Sequence, residues 1–125
     1  MQESTAKRQP WLREMMCKWR SESMGRSRAM PHVKTYTEII DGVPQWILVT
    51  SANLSKAAWG EFQKNKTQLM IRSYELGVLI TDTARIRLPY DYPAVKYGPK
   101  DSPWICDASY SETDSHGKQW IVSGK

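Results

Sequence analysis

The sequence predicts an α/β domain in which a mixed β-sheet is flanked by helices, and three observations predict it. Apolar residues recur at helical spacing across residues 10–21. Two β-rich runs flank an Asp41-Gly42 pair, and a small polar stretch after the second run opens into a helical pattern. A chain of 125 residues fits one domain, residues 1–125, with a modest hydrophobic core. Its first nine residues are polar and are expected to fray.

Trp11, Met15 and Trp19, with Leu12 and Met16, form one apolar stripe, and Pro10 suits a first-turn position. The stripe is read as core packing. Residues 25–29 form a loop carrying Arg26 and Arg28, which leads through Met30-Pro31 into a strand over 32–40. Asp41-Gly42, with Pro44 close by, is a tight hairpin signal. The returning strand, 45–50, has the apolar centre Trp46-Ile47-Leu48-Val49, as a strand covered on both faces would. Residues 51–55 then turn into a helix that opens on Lys56-Ala57-Ala58-Trp59 and ends near Gly60. Residues 67–81 read as a further strand interrupted by Gly77, and the rest as a long, weakly regular tail rich in Pro, Gly, Tyr and Asp.

Eighteen Lys and Arg against 13 Asp and Glu give a formal charge of +5, which leans towards a polyanionic partner, nucleic acid being the commonest. Cys17 and Cys106 follow no metal-ligand spacing and read as reduced thiols. No segment has the length of a membrane span and the start has no signal-peptide core, so a soluble intracellular protein with no membrane partner is expected. Lys7-Arg8 is too short to serve as a nuclear address.

His32 and Lys34 lie two apart on a predicted strand and so share a face. Lysine can hold phosphate oxygens, while histidine can attack phosphorus or donate a proton to a leaving oxygen. If the hairpin pairs the two strands, Ser51 and Asn53 return beside that pair. There, with Ser55, they can cap the following helix, bind an anion, or do both. Glu75 continues the apolar face of Leu69, Ile71 and Ser73, where a carboxylate needs a partner. An imidazole, Arg72 or a lysine would each serve.

The stretches GRSRAMPHVKTY, WILVTSANLSKAAWG and TQLMIRSYELGVL resemble the second catalytic segment of tyrosyl-DNA phosphodiesterases, members of the phospholipase D superfamily. PYDYP, YGPKDSPWI and DSHGKQW extend the resemblance over almost the whole chain. It implies the second half of a phospholipase D-like fold and hydrolysis of 3′-phosphotyrosyl and related blocked DNA ends, as in repair of trapped topoisomerase I. In that family two halves share one site, and the first half's histidine forms a phosphohistidine.

By position, His32 would be the general acid/base, Lys34 and Asn53 would hold phosphate oxygens, and Glu75 would support an active-site imidazole. Ser51 and Ser55 would line the substrate pocket. No metal and no cofactor is implied, and a nuclear location is. His116, in Asp114-Ser115-His116-Gly117, matches a family segment without a catalytic role and reads as a surface or structural residue.

The chain has no second H-x-K triplet, so the nucleophile must come from elsewhere. Three readings follow: a fragment of a longer enzyme, a homodimer in which each copy supplies one triplet, or a nucleic-acid-binding module without chemistry. The segment between Ile80 and Tyr90 is short for the family, and Cys106 stands where a tryptophan is expected.

Overall fold

The computed structural model describes residues 1–29 and 31–122; Met30 and the last three residues of the predicted tail lie outside the described residues. Where one domain was expected, the chain separates into two compact units, Met1–Arg20 with Ala94–Lys125, and Ser21–Pro93.

The second unit holds the sheet. Strand β1 (Lys34–Ile40) pairs antiparallel with β2 (Val43–Thr50) through the Asp41-Gly42 turn, whose φ angles are 48° and 80°. The pair starts two residues later than predicted at one end and two earlier at the other. Pro44 lies within β2 opposite Ile39, where the register slips between Glu38 and Ile39. A proline is tolerated there because the ladder to the third strand begins only at Ile47.

The predicted strand 67–81 divides. Gln68–Met70 forms β4, which pairs with an unforeseen β3 (Glu61–Gln63), and Gly77–Ile80 forms β5, which pairs with β2. The three-stranded order is β1-β2-β5, and every described pairing is antiparallel. The α/β class stands, but the expected parallel component of the sheet is absent among the described residues. The two-residue turn allows β1 and β2 only antiparallel pairing, and β5, despite its longer connection, also runs antiparallel to β2.

Ile47, at the centre of β2, is 1% exposed and anchors the core of this unit, with Ala52 and Ile86 also buried. The helix after β2, α3 (Lys56–Trp59), is a single turn capped by Ser55, whose hydroxyl accepts the Ala58 N–H at 3.3 Å. Gly60 ends it with φ 89°, a conformation that favours glycine, and a Cβ there would have to displace the exposed Leu69 side chain, 2.7 Å from its Cδ1.

In the first unit the predicted helix over 10–21 contracts to α2 (Leu12–Met15), one turn. Beyond it Met16 is extended, and residues 16–18 bond to 95–97 through Lys18 N–H to Val95 O and Tyr97 N–H to Met16 O. Those strand-like bonds take the backbone groups that a longer helix would have used. Trp11, Met15 and Trp19 are consequently 54, 69 and 43% exposed, not core. Within residues 1–9, expected to fray, Glu3–Arg8 forms α1, and residues 106 and 107 meet its start through Cys106 N–H to Met1 O and Glu3 N–H to Asp107 Oδ1. Arg13 grips the 98–101 loop, its guanidinium donating to the carbonyls of Gly98, Pro99 and Asp101 at 2.6–3.2 Å. Both cysteines are free and exposed.

Candidate active site

The antiparallel register determines what can meet. Lys34 faces Thr50 across β1 and β2, and Thr50 faces Gly77 across β2 and β5. The start of β1, the end of β2 and the start of β5 therefore converge at one end of the sheet. They leave a cavity of about 410 Å³ there, lined by His32, Val33, Thr50, Ser51, Leu76 and Gly77 among others.

His32 lies outside the strand that was expected to carry it, in irregular chain two residues before β1, and is exposed. Lys34 opens β1 and is half-buried. Ser51 and Glu75 meet directly, the hydroxyl donating to Glu75 Oε2 at 2.5 Å while it accepts the Leu76 N–H at 3.2 Å. The Leu76 carbonyl in turn accepts from Ser51 N–H and from Thr50 Oγ1. Thr50 Oγ1 also accepts the Ala52 N–H at 3.1 Å.

The Glu75-Leu76-Gly77 segment is thus clamped onto the turn that leaves β2. Gly77 makes this possible, since a Cβ there would lie 2.8 Å from Thr50 Cβ and 3.0 Å from the Val49 carbonyl oxygen. The serine hydroxyls of Ser51 and Ser73, with Lys34 a lesser influence, hold the Glu75 carboxyl below its usual range. Glu75 is therefore a carboxylate at neutral pH; its hydrogen-bond partners are hydroxyls, and of the partners weighed from sequence only a lysine, Lys34, acts on it, through its charge. No contact of Glu75 with an imidazole or Arg72 occurs among the described residues.

Asn53 lies on the turn after β2, exposed, its backbone carbonyl accepting the Ser55 N–H at 2.8 Å. Ser55 acts as the α3 cap, so the capping reading describes its hydroxyl; it does not line the cavity with His32. The Asn53 turn is fixed from β1 by a residue that was passed over in the sequence. Tyr36, on Lys34's face of the strand, donates its hydroxyl proton to the Ala52 carbonyl at 3.0 Å. The Tyr36 hydroxyl oxygen accepts Trp59 Nε1–H at 3.4 Å, with the Tyr36 and Trp59 rings edge-on 5.3 Å apart. The signal for Tyr36 was its i, i+2 relation to Lys34. Thr50 and Gly77 had none before the register was known.

Among the described residues no three His, Cys, Asp or Glu side chains gather as metal ligands do. An imidazole lining a cavity, a lysine at the same end of the sheet and a carboxylate locked to a serine suit binding and proton transfer at an anionic oxygen.

The model of the tyrosyl-DNA phosphodiesterase family matches residues 1–98. The chain belongs to that family. It is 51% identical over 117 residues to a probable tyrosyl-DNA phosphodiesterase of Caenorhabditis elegans, covering 90% of this chain and 26% of the relative. It is 34% identical over 160 residues to tyrosyl-DNA phosphodiesterase 1 of Arabidopsis thaliana, covering 89% and 26%. To the Drosophila melanogaster tyrosyl-DNA phosphodiesterase 1 it is 41% identical over 126 residues, covering 83% and 22%. The chain spans about a quarter of the length of these relatives. For a tyrosyl-DNA phosphodiesterase chain the PHVKTY, SANLSKAAWG and SYELG stretches fall on the three segments that converge at the cavity. Their proximity is a product of register, not of sequence neighbourhood.

Proposed function

We propose that this chain supplies the acid/base half of a phosphodiester hydrolysis site acting on DNA 3′ ends that carry a tyrosyl adduct. The convergence of His32, Lys34, Ser51 and Glu75 at one end of the sheet carries the reading. A histidine from outside these residues attacks phosphorus and forms a phosphohistidine. His32 gives its proton to the departing tyrosine oxygen, then takes a proton from the water that cleaves the intermediate. Lys34 and Asn53 hold the non-bridging oxygens, where negative charge builds in the transition state. Ser51 and Glu75 keep the pocket wall in place, and no metal takes part. The histidine from outside belongs to the remaining length of a longer enzyme, in keeping with the quarter of the relatives that this chain spans. Adducts of trapped topoisomerase I are the substrate class, so the reading extends to a nuclear protein in DNA repair.

The test is binding of a 3′-phosphotyrosyl oligonucleotide, followed by fluorescence anisotropy. Lys34→Ala is expected to weaken it by roughly tenfold and to reduce the slope of log affinity against log salt by about one, as the loss of one phosphate contact does. Equal affinity and equal slope in the variant would remove Lys34 from the site.

A further inference from the structure

The tail that reads as irregular is a built cradle. Thr113 bridges Gln119 across a turn in which Asp114 Oδ1 accepts the His116 and Lys118 N–H groups at 2.8 and 2.9 Å. Tyr110 N–H reaches the Trp120 carbonyl at 2.9 Å, and the Tyr110 hydroxyl grips the backbone of Ile105 from both sides, accepting its N–H at 2.7 Å and donating to its carbonyl at 3.2 Å. These bonds hold two indoles as the walls of a corner. Trp104 stacks on Tyr110, centroids 4.4 Å apart at 12°, and Trp120 stands at 69° to Trp104, 5.5 Å away. Both indoles are half exposed, and they border a cavity of about 260 Å³. The corner lies beyond the residues matched by the family model.

Charge selects what could enter. The lining contains Glu112 and Asp114 against Lys118, a local excess of one negative charge on a chain of +5. Among the described residues neither the Glu112 carboxylate nor the Lys118 ammonium has a hydrogen-bond or ion-pair partner. A phosphate-bearing ligand meets like charge here. A planar cation meets an indole face and a carboxylate able to take two parallel N–H bonds. We propose that this corner binds an arginine side chain presented by a protein partner. The guanidinium stacks on an indole and pairs with Glu112, and its aliphatic stem lies along the other aromatic wall. This site is separate from the His32 cavity and does not depend on the phosphodiesterase reading.

The experiment follows the indole N–H resonances of the 125-residue chain during titration with N-acetyl-arginine amide. The Trp104 and Trp120 signals are assigned from single Trp→Phe variants. Saturable movement of those two signals is expected, with none from the citrulline analogue, which keeps the shape and lacks the charge. Glu112→Gln, an exposed position, should weaken binding by about three- to tenfold while the amide spectrum of residues 94–122 stays that of the parent. Four outcomes overturn the proposal: no saturable movement, equal response to citrulline, unchanged affinity in Glu112→Gln, or tighter binding of an oligothymidylate, which would make the corner a base-stacking site.

Discussion

The sheet end that carries the candidate site and the cradle at the C-terminal side are both pockets with polar rims, yet they are built by different means. The first is positioned by backbone ladders: Lys34 faces Thr50, Thr50 faces Gly77, and Ser51 and Glu75 follow. The second rests on side chains that reach backbone groups, Asp114 in its turn and Tyr110 at Ile105, while Arg13 performs the same task at the 98–101 loop of that unit. A ladder spreads its positional information over many bonds. A clamp concentrates it in one residue, so the two regions should fail differently.

The largest effect should come from Gly77→Ala. The added methyl would meet Thr50, which is 7% exposed, and the Val49 carbonyl. Forcing β5 away from β2 should cost about 1–3 kcal/mol, read by urea denaturation. Amide exchange should rise over Gly77–Ile80 and at Ser51. A variant as stable as the parent would show that the close approach of β5 and β2 is dispensable.

Arg13→Gln should be milder, about 1–2 kcal/mol, because one cation donates to three carbonyls on a partly exposed surface. Its signature is locality: amide exchange should quicken at 98–101 while the β1–β2 ladder keeps its protection. Loss of protection across the sheet would erase the distinction between the two regions.

The smallest effect is the response to acid. Hydrogen bonds from Ser51, then Ser73, hold Glu75 below the ordinary glutamate value of 4.5. A depressed folded value means that the carboxylate's stabilisation is complete above the unfolded value and disappears as pH falls through the folded one. The stability gap between the parent and Ser51→Ala should therefore be present at pH 7 and close as acid protonates Glu75. A gap that does not change between pH 7 and pH 3 would mean that Ser51 acts only through the Leu76 backbone.

What could be read from the sequence divides along the same line. The β1–β2 hairpin was legible because Asp41-Gly42 and the alternating runs are local signals. From it the return of Ser51 and Asn53 towards Lys34 could be inferred. The split of residues 67–81 was not legible, because the apolar count continues through Ile71 and Leu76 while the pairing partners change from β3 to β2. The helix over 10–21 failed for a related reason. Its spacing is helical, but residues 95–97 offered Met16 and Lys18 backbone partners from far along the chain. The hydroxyl partner of Glu75 needed the register of β5, which no local pattern contains.

The Ser51 hydroxyl has a single hydrogen, and it points at Glu75. As long as that carboxylate is ionised, the serine, whose oxygen also accepts the Leu76 N–H, has no proton left to donate into the cavity. Under the proposed function, an oxyanion entering beside it would take its N–H partners elsewhere, from the His32 imidazole and from the Lys34 and Asn53 side chains assigned to it above. The lining thereby carries an imidazole at His32 and hydroxyl oxygens at Thr50 and Ser51, the latter backed by the Glu75 carboxylate. Under the proposed function, that asymmetry would set the direction in which a phosphodiester lies.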